Sequence, residues 1–414
     1  MIDACSLESR PLMSIDDALD RIEAAIHPVS GAEKLALKNA LGRVLAEPVY
    51  SPVNIPHDRN AAMDGYAFAS CDVVEGQAFT LNLAGTSWAG RPFQGRVQPG
   101  QCVRIFTGAV VPEQADSVVM QEHVQVRDQA IHFPADTRAL QNIRKVGEDV
   151  KQGDLLCVHP KKLTAVDLGL LASAGIDEVA VKRRLKIAYF STGDELSSVG
   201  KPLESGKIYD SNRMLLGGLL EDPCYSVSDL GVVPDNRHLL EDRFIEASKN
   251  YDVIVTTGGA SVGEADYVKE ILQRCGEVNF WKIAIKPGKP LAFGKIGSCH
   301  FFGLPGNPVA VVVTCQQIVV PALRRLSGAP SFKALRFSAT CTTALRKSAG
   351  RREYQRGILS QDENGEFWVA SAGRQGSNIL SSMSQSNCYI ILPEACNDVQ
   401  AGDKVTVEPF SLLI

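Results

Sequence analysis

The residues best suited to chemistry here are glycines standing next to carboxylates. In residues 251–263, YDVIVTTGGASVG, the apolar run Val253-Ile254-Val255 stops abruptly at Thr-Thr-Gly-Gly. Such a run reads as a buried strand opening into a loop. Without Cβ atoms, Gly258 and Gly259 let a phosphate-sized anion approach the backbone N–H groups, and a helix N-terminus just downstream would add partial positive charge. Glu264 and Asp266 follow directly. Glycine beside acid suits a phosphate ester handled with a divalent cation. Mg²⁺ takes one or two protein carboxylates and fills its shell with water and phosphate oxygens.

Two further loops have the same character: Ser191-Thr192-Gly193-Asp194-Glu195 and Gly303-Leu304-Pro305-Gly306-Asn307-Pro308. Each follows an apolar run, so each should leave the carboxyl end of a strand, where ligands bind in parallel α/β sheets. Taken singly, any of these loops is explained by a tight turn. Three at equivalent strand ends, one of them carrying acids, point to a phosphate site with Glu195 and Asp266 placed for a hard cation. Between the second and third loops, the segment AIKPGKP holds Lys286 and Lys289 on a proline-stiffened stretch. A lysine pair is ordinarily a solvated surface, but these two are placed to hold an oxyanion. Asp64, Asp149 and Asp235 are further acids, and the first two could simply end turns.

One motif misleads. Gly259-Ala260-Ser261-Val262-Gly263 matches the nucleophile elbow G-x-S-x-G after a strand. A serine hydrolase would also need an acid and then a histidine in a downstream loop. The one later histidine, His300, belongs to the expected strand around Phe301.

The elements that position these loops are legible in the periodicity. Residues 14–27 form an amphipathic helix, with Ile15, Leu19, Ile22 and Ile26 on one face and Ser14 and Asp17 at its start. Residues 163–175 form a second helix, opened by Thr164 and Asp167 and stopped by Gly175. Between them lie short β-rich segments at 78–85, 102–107, 117–120 and 124–133. From 184 to 326 strands and helices alternate: strands at 185–190, 227–233, 253–255 and around 301–302, helices at 212–220, 237–249, 267–274 and 309–326. Alternation of this kind implies a parallel sheet covered on both faces. After the linker Ser327-Gly328-Ala329-Pro330-Ser331 a further β segment runs to the end of the sequence. The expected fold is an α/β multidomain chain. A central three-layer α/β/α domain with a mostly parallel sheet spans 181–329, and a small inserted β domain spans 51–144. A discontinuous helical and β N-terminal domain takes 1–50 and 145–180, and a small C-terminal β domain takes 330–414.

Bulk composition narrows the function class. The 414 residues exceed one ordinary core. A net charge of −4 gives no reason to expect nucleic acid or an anionic membrane as partner, so any anion site must be a local basic cluster. The 11 cysteines are scattered without a C-x-x-C pair, which argues against structural zinc and for reduced thiols in the cytoplasm. The first residues show no signal-peptide pattern, and the apolar run at 309–313 is broken by Thr314, Gln316 and Gln317, so no membrane span is expected.

In order along the chain, Asn60-Ala61-Ala62-Met63-Asp64-Gly65-Tyr66, Ile105-Phe106-Thr107-Gly108-Ala109, Gly147-Glu148-Asp149, the three loops above, Lys286-Pro287-Gly288-Lys289-Pro290, Gln355-Arg356-Gly357 and Gln375-Gly376-Ser377 closely resemble the molybdopterin molybdenumtransferase (MoeA) family, which includes the gephyrin E domain. The resemblance implies insertion of molybdate into adenylated molybdopterin with release of AMP and with Mg²⁺ as cofactor. It implies a homodimer whose cleft lies between the α/β domain of one subunit and the inserted β domain of the other. It also implies transient contact with the molybdopterin adenylyltransferase and with cofactor-maturation proteins. The catalytic set it implies is Asp64, Thr107, Asp149, Glu195, Asp235 and Asp266, with Glu195 and Asp266 on the metal. Ser191, Thr192, Gly193, Gly258, Gly259, Ser261, Pro305 and Pro308 would hold the pterin and nucleotide. Lys286, Lys289, Arg356 and Ser377 would hold molybdate. The chain departs from the family at Arg59-Asn60-Ala61, where an acidic residue, Asn and Ser are usual. Two rivals are weaker: an adenylyltransferase would resemble only residues 184–326, and a pure scaffold would not need the acids and lysines of the cleft.

Overall fold

The computed structural model describes residues 12–258 and 267–411. Gly259, Ser261, Glu264 and Asp266 lie outside the described residues.

The central sheet has six strands in the order Tyr225–Val233, Leu185–Thr192, Val253–Thr257, Cys299–Leu304, Pro290–Ile296 and Glu277–Lys282. The first four are parallel, with Ser191 opposite Thr257 and Thr257 opposite Leu304, so their carboxyl ends come level. The last two strands run antiparallel, an edge that periodicity did not reveal. Glu277–Lys282 and Pro290–Ile296 are separated by the AIKPGKP segment, and proline and glycine there masked the strand signal.

The buried runs explain the arrangement. Ile187, Tyr189, Val253, Val255, Phe302 and Leu304 enter one core, shared with helices Ile15–Ala25, Ser211–Leu219 and Pro308–Thr314. Phe190, Ile254 and Phe301 enter another, against helices Arg237–Asn250 and Tyr267–Cys275. Alternate residues of one strand serve opposite faces, which is why these strands read as unbroken apolar runs. Each fully buried side chain of this size contributes about 1.5–3 kcal/mol. Helix ends are capped as their sequences suggest. Ser14 Oγ accepts from Asp17 N, and Thr164 with Asp167 forms a reciprocal capping box.

The helix from Pro308 continues through a π turn, Cys315–Val319, to Leu326. Among the described residues it is the one helix long and apolar enough to cross a membrane, and 72% of its apolar window is buried inside the protein.

The segments flanking this domain pair across long sequence distances. Ala32–Ala36 pairs with Glu178–Lys182, and Val49–Tyr50 with Leu155–Cys157. Between them a six-stranded sheet contains Gly65–Phe68, Gln101–Ile105 and Phe79–Ser87. The segment expected at 124–133 is a hairpin of Gln125–Arg127 and Ala130–Phe133, turned at Asp128 with a positive φ of 57°. The C-terminal sheet closes on itself, because Arg352–Gln361 pairs with both Phe367–Ser371 and Cys388–Leu392. This barrel is stitched to the α/β domain by Ile285–Lys286, which runs parallel to Arg352 and Glu353.

Candidate functional site

The strand between Tyr225–Val233 and Val253–Thr257 is the first of the sheet in sequence, so the chain leaves it in both directions and a crevice opens at its carboxyl end. A cavity of about 750 Å³ lies there. Thr192, Gly193, Glu195 and Gly258 form its floor, Asp235 and Leu240 one side, and Pro305, Gly306 and Asn307 another. Lys286, Gly288 and Lys289 form the facing wall, completed by Arg351, Gln375, Gly376 and Ser377 of the C-terminal barrel.

Backbone geometry shapes this floor. Gly258 has φ +86°, and a Cβ there would stand 2.6 Å from Thr192 O, so only glycine lets the two loops touch. Gly288 has φ +116°, and a Cβ would meet Thr314 Oγ1 at 2.5 Å. That contact presses the lysine segment against the Pro308 helix. Asn212 Nδ2 donates to Gly306 O at 2.7 Å and fixes the third loop. Val309 N donates to Ser377 O at 3.1 Å, which ties the helix start to the barrel wall.

The cavity is electrically divided. On the acidic side, Asp194 Oδ1 accepts from Asp235 N at 3.1 Å, so three carboxyl residues, Asp194, Glu195 and Asp235, gather. Partial burial raises the Asp235 pKa, and the negative charges of Asp194 and Glu195 push the same way. On the basic side, Lys286 Nζ stands 3.0 Å from Glu353 Oε1, and Lys289 is exposed to the cavity. Arg351 is half-buried on the same wall.

Thr192, Gly193, Gly258, Glu195, Asp235, Pro305, Lys286, Lys289 and Ser377 therefore line one cavity. Ser191 does not line the cavity. It is buried beneath the floor, with Oγ donating to Asp210 Oδ1 at 3.1 Å and lying 3.0 Å from Thr257 Oγ1. Pro308 begins the helix below the loop and is not on the wall. Arg356, expected to meet molybdate, is also displaced. It is 1% exposed, and its guanidinium donates to Ser382 Oγ, Arg374 O and Gly376 O at 3.1, 3.0 and 3.0 Å. Its Nε and Nη2 are bonded to the protein's own oxygens, two of them on the strap that carries Ser377.

Asp64, Thr107 and Asp149 also lie off this cavity. Asp64 Oδ1 accepts from both Thr107 N and Thr107 Oγ1 at 2.7 Å. Those bonds, from the side chain and then the backbone of Thr107, lower the Asp64 pKa. Asp149 is exposed on the Gly147 turn, its N–H donating to Ile55 O at 3.0 Å.

Sequence reasoning did not single out Arg351, Gly288, Asn307, Gln375 or Gly376 as site residues. Asn307 and Gln375 sat inside motifs that were noticed. Arg351 gave no such signal.

Three family models together cover most of the chain. Residues 13–175 match the MoeA N-terminal region (domain I and II), 188–325 a probable molybdopterin binding domain, and 338–410 the MoeA C-terminal region (domain IV). A molybdopterin molybdenumtransferase of Haemophilus influenzae is 46% identical over 97% of this chain and 100% of its own length.

The chain belongs to the molybdopterin molybdenumtransferase (MoeA) family.

A molybdopterin molybdenumtransferase of Nostoc is 33% identical over 89% of this chain and 86% of its own. The gephyrin of Dictyostelium discoideum is 32% identical over 90% of this chain, which spans 58% of that longer protein. Among solved structures, a molybdopterin biosynthesis MoeA protein from Pyrococcus horikoshii aligns with a TM-score of 0.82 at 29% identity, covering 96% of this chain and 100% of the other. Membership explains why the ordered motif set spans all parts of the chain and not the α/β domain alone.

Proposed function

We propose that this MoeA-family chain inserts molybdate into adenylated molybdopterin and releases AMP, with Mg²⁺, as a homodimer in the cytoplasm. The observation that carries the reading is a single cavity lined both by the acids Glu195 and Asp235 and by the bases Lys286, Lys289 and Arg351. A cation and an oxyanion can be held in the same space. Breaking the P–O bond of a phosphoanhydride requires charge neutralisation and positioning more than covalent help.

The residues fit a hard divalent cation. Glu195 and Asp235 line the cavity, and partial burial raises the Asp235 pKa, with the negative charges of Asp194 and Glu195 adding to it. Among the described residues no group of three or more His, Cys, Asp or Glu forms a closed metal cage. Mg²⁺ would need only one or two carboxylates, since it keeps water and phosphate oxygens in its shell. Glu195, with Asp266 outside the described residues, would hold it, and the ion would offset charge developing on the departing phosphate.

The chain's own groups do the rest. The Thr192-Gly193 and Gly258 backbones admit the phosphates closely, and Pro305 with Asn307 limits the nucleotide side. Lys286, Lys289 and Ser377 offer donors to the tetrahedral oxyanion. Molybdenum is taken up by the dithiolene sulfurs of the substrate, so no cysteine of the chain is required, and none lines the cavity. The ten described cysteines are all free thiols, which supports a reducing compartment. Asp64, Thr107 and Asp149 would reach the cleft from the partner protomer. Asp64 is half-buried, and its hydrogen bonds from Thr107 favour the charged form, which suits a contact with a cation or a proton donor.

The test is incubation of purified protein with adenylated molybdopterin, Mg²⁺ and molybdate. Molybdate-dependent AMP release with formation of active cofactor is expected. Folded protein that releases no AMP would overturn the reading.

A further inference from the structure

Three loops of the cavity leave three different strands, yet the first turn of one helix reaches all of them. Helix Ser211–Leu219 begins directly after Asp210, which is 1% exposed and caps it by accepting from Arg213 N at 3.1 Å. The same oxygen, Asp210 Oδ1, accepts from Ser191 Oγ at 3.1 Å. Ser191 gives its one hydroxyl proton to that bond, so Thr257 Oγ1, 3.0 Å away, donates to Ser191 Oγ. Ser191 precedes Thr192-Gly193 and Thr257 precedes Gly258, so one buried carboxylate underlies both floor loops. Two residues further on, Asn212 Nδ2 donates to Gly306 O of the third loop at 2.7 Å.

This turn costs stability. Among the described residues nine buried side-chain nitrogen or oxygen atoms lack a hydrogen-bond partner, and three of them are gathered here: Asp210 Oδ2, Asn212 Oδ1 and Arg213 Nε. Arg213 Nε lies 3.9 Å from Asp210 Oδ2 and 3.5 Å from Asp229 Oδ2, near enough to balance charge but short of a good hydrogen bond. Unpaired buried polar atoms destabilise a fold, and their concentration at one place marks side chains kept for what they hold.

We propose that this turn is the positioning element of the cavity: Asp210 sets the Thr192-Gly193 and Gly258 loops against each other, and Asn212 sets the Pro305-Gly306-Asn307 loop against them. The proposal rests on the function given above, in which the phosphates lie on these loops. Neither Asp210 nor Asn212 lines the cavity, so both act through the loops they bond. Lys286 is held separately, by Glu353 at 3.0 Å, and the basic side should be indifferent to changes in this turn. Because Asp210 also caps the turn that carries Asn212, its loss should reach all three loops. Loss of Asn212 should reach the third loop alone.

The experiment compares Asp210→Ala, Asp210→Asn, Ser191→Ala and Asn212→Ala in the full-length protein. Amide hydrogen exchange is followed in segments 191–195, 256–258 and 303–308. Thermal unfolding is measured on the same preparations, with kcat for AMP release and the half-saturating molybdate concentration. Asp210→Ala should speed exchange in all three segments and lower kcat about tenfold, while the half-saturating molybdate concentration shifts by less than about twofold. Asp210→Asn keeps an oxygen for Ser191 and Arg213 and should restore most of the rate. Ser191→Ala breaks the relay but leaves the helix cap, so it should loosen the first two segments only, and it serves where Asp210→Ala does not fold. Asn212→Ala should speed exchange in 303–308 alone.

A lowered melting temperature with wild-type kcat in these variants would overturn the proposal, leaving the turn as structural support. Unchanged exchange in the three segments would overturn it too, as would Asp210→Asn being as impaired as Asp210→Ala. Wild-type protein that releases no AMP, with exchange responding loop by loop as expected, would reject the proposed reaction and leave the loop assignment standing. AMP release by wild-type protein, together with wild-type exchange and kcat in the variants, would do the reverse.

Discussion

Lys286 and Glu353 sit opposite each other on paired parallel strands, with Nζ 3.0 Å from Oε1. The partners are unequal: the lysine side chain is 46% exposed and the glutamate 4%. Glu353 Oε2 also accepts from Gln355 Nε2 at 3.0 Å. The pair joins the barrel to the α/β domain and fixes how far Lys286 reaches into the cavity.

Removing only the lysine leaves a buried carboxylate without its cation. Lys286→Met should therefore destabilise the fold by about 1–3 kcal/mol, mostly through the stranded Glu353. Adding Glu353→Gln should recover much of that stability without recovering molybdate binding. Denaturant unfolding of the two single variants and the double variant measures the coupling. Strictly additive effects would mean that the two side chains do not act as a pair.

Asp235 carries a pKa raised by burial and by Asp194 and Glu195. A raised carboxyl pKa favours the protonated form in the folded state. Its contribution to stability is therefore fully present below the unfolded pKa and is lost as pH rises through the folded pKa. At neutral pH the apo protein carries that cost, and a cation should relieve it. Mg²⁺ is expected to raise the melting temperature at neutral pH, and less so as pH falls toward the carboxylate range. Asp235→Asn should raise the melting temperature of apo protein slightly and shrink the Mg²⁺ effect. An undiminished Mg²⁺ effect in this variant would take Asp235 out of the cation site.

His300 lies in the middle of the central sheet, 8% exposed, with Nδ1 buried and lacking a hydrogen-bond partner. Burial lowers its pKa from 6.5 to about 4, helped by the positive charge of Lys295. Here the folded pKa lies below the unfolded one. As pH drops through 6.5 the unfolded chain takes up a proton that the folded chain refuses, so stability falls until about pH 4. The loss is on the order of 3 kcal/mol. His300→Leu should flatten the stability profile over that window, as urea unfolding at stepped pH would reveal. A profile of unchanged slope would place the acid sensitivity elsewhere.

Asp64 and Glu195 test the cross-subunit cleft. Asp64→Ala and Glu195→Ala homodimers should each lose AMP release while keeping the fold, since Glu195 is exposed and Asp64 is only half-buried. In a heterodimer of the two variants, one cleft carries both lesions and the other carries none. Tagged and purified heterodimers should regain about half of the wild-type rate. Heterodimers with no activity would show that the two acids serve one cleft within one chain, or none.

What the sequence determined by itself was local in character. The run Val253-Ile254-Val255 had to be a strand buried on both faces, and Gly258 had to end it, because only glycine accepts φ +86° against Thr192 O. Ser14 and Thr164 marked where helices begin, through bonds made within three residues. Glu195 and Asn307 were placed in loops at strand ends by the same short-range logic. The placement of Arg356 was of another kind. Which face of the strand Arg352–Gln361 turns inward depends on the register between Ile285-Lys286 and Arg352-Glu353, and on a barrel closed by pairing Arg352–Gln361 with Cys388–Leu392. Those pairings join residues 67 positions apart in the case of Lys286 and Glu353. No local pattern carries that information, because register is settled by the packing of whole sheets.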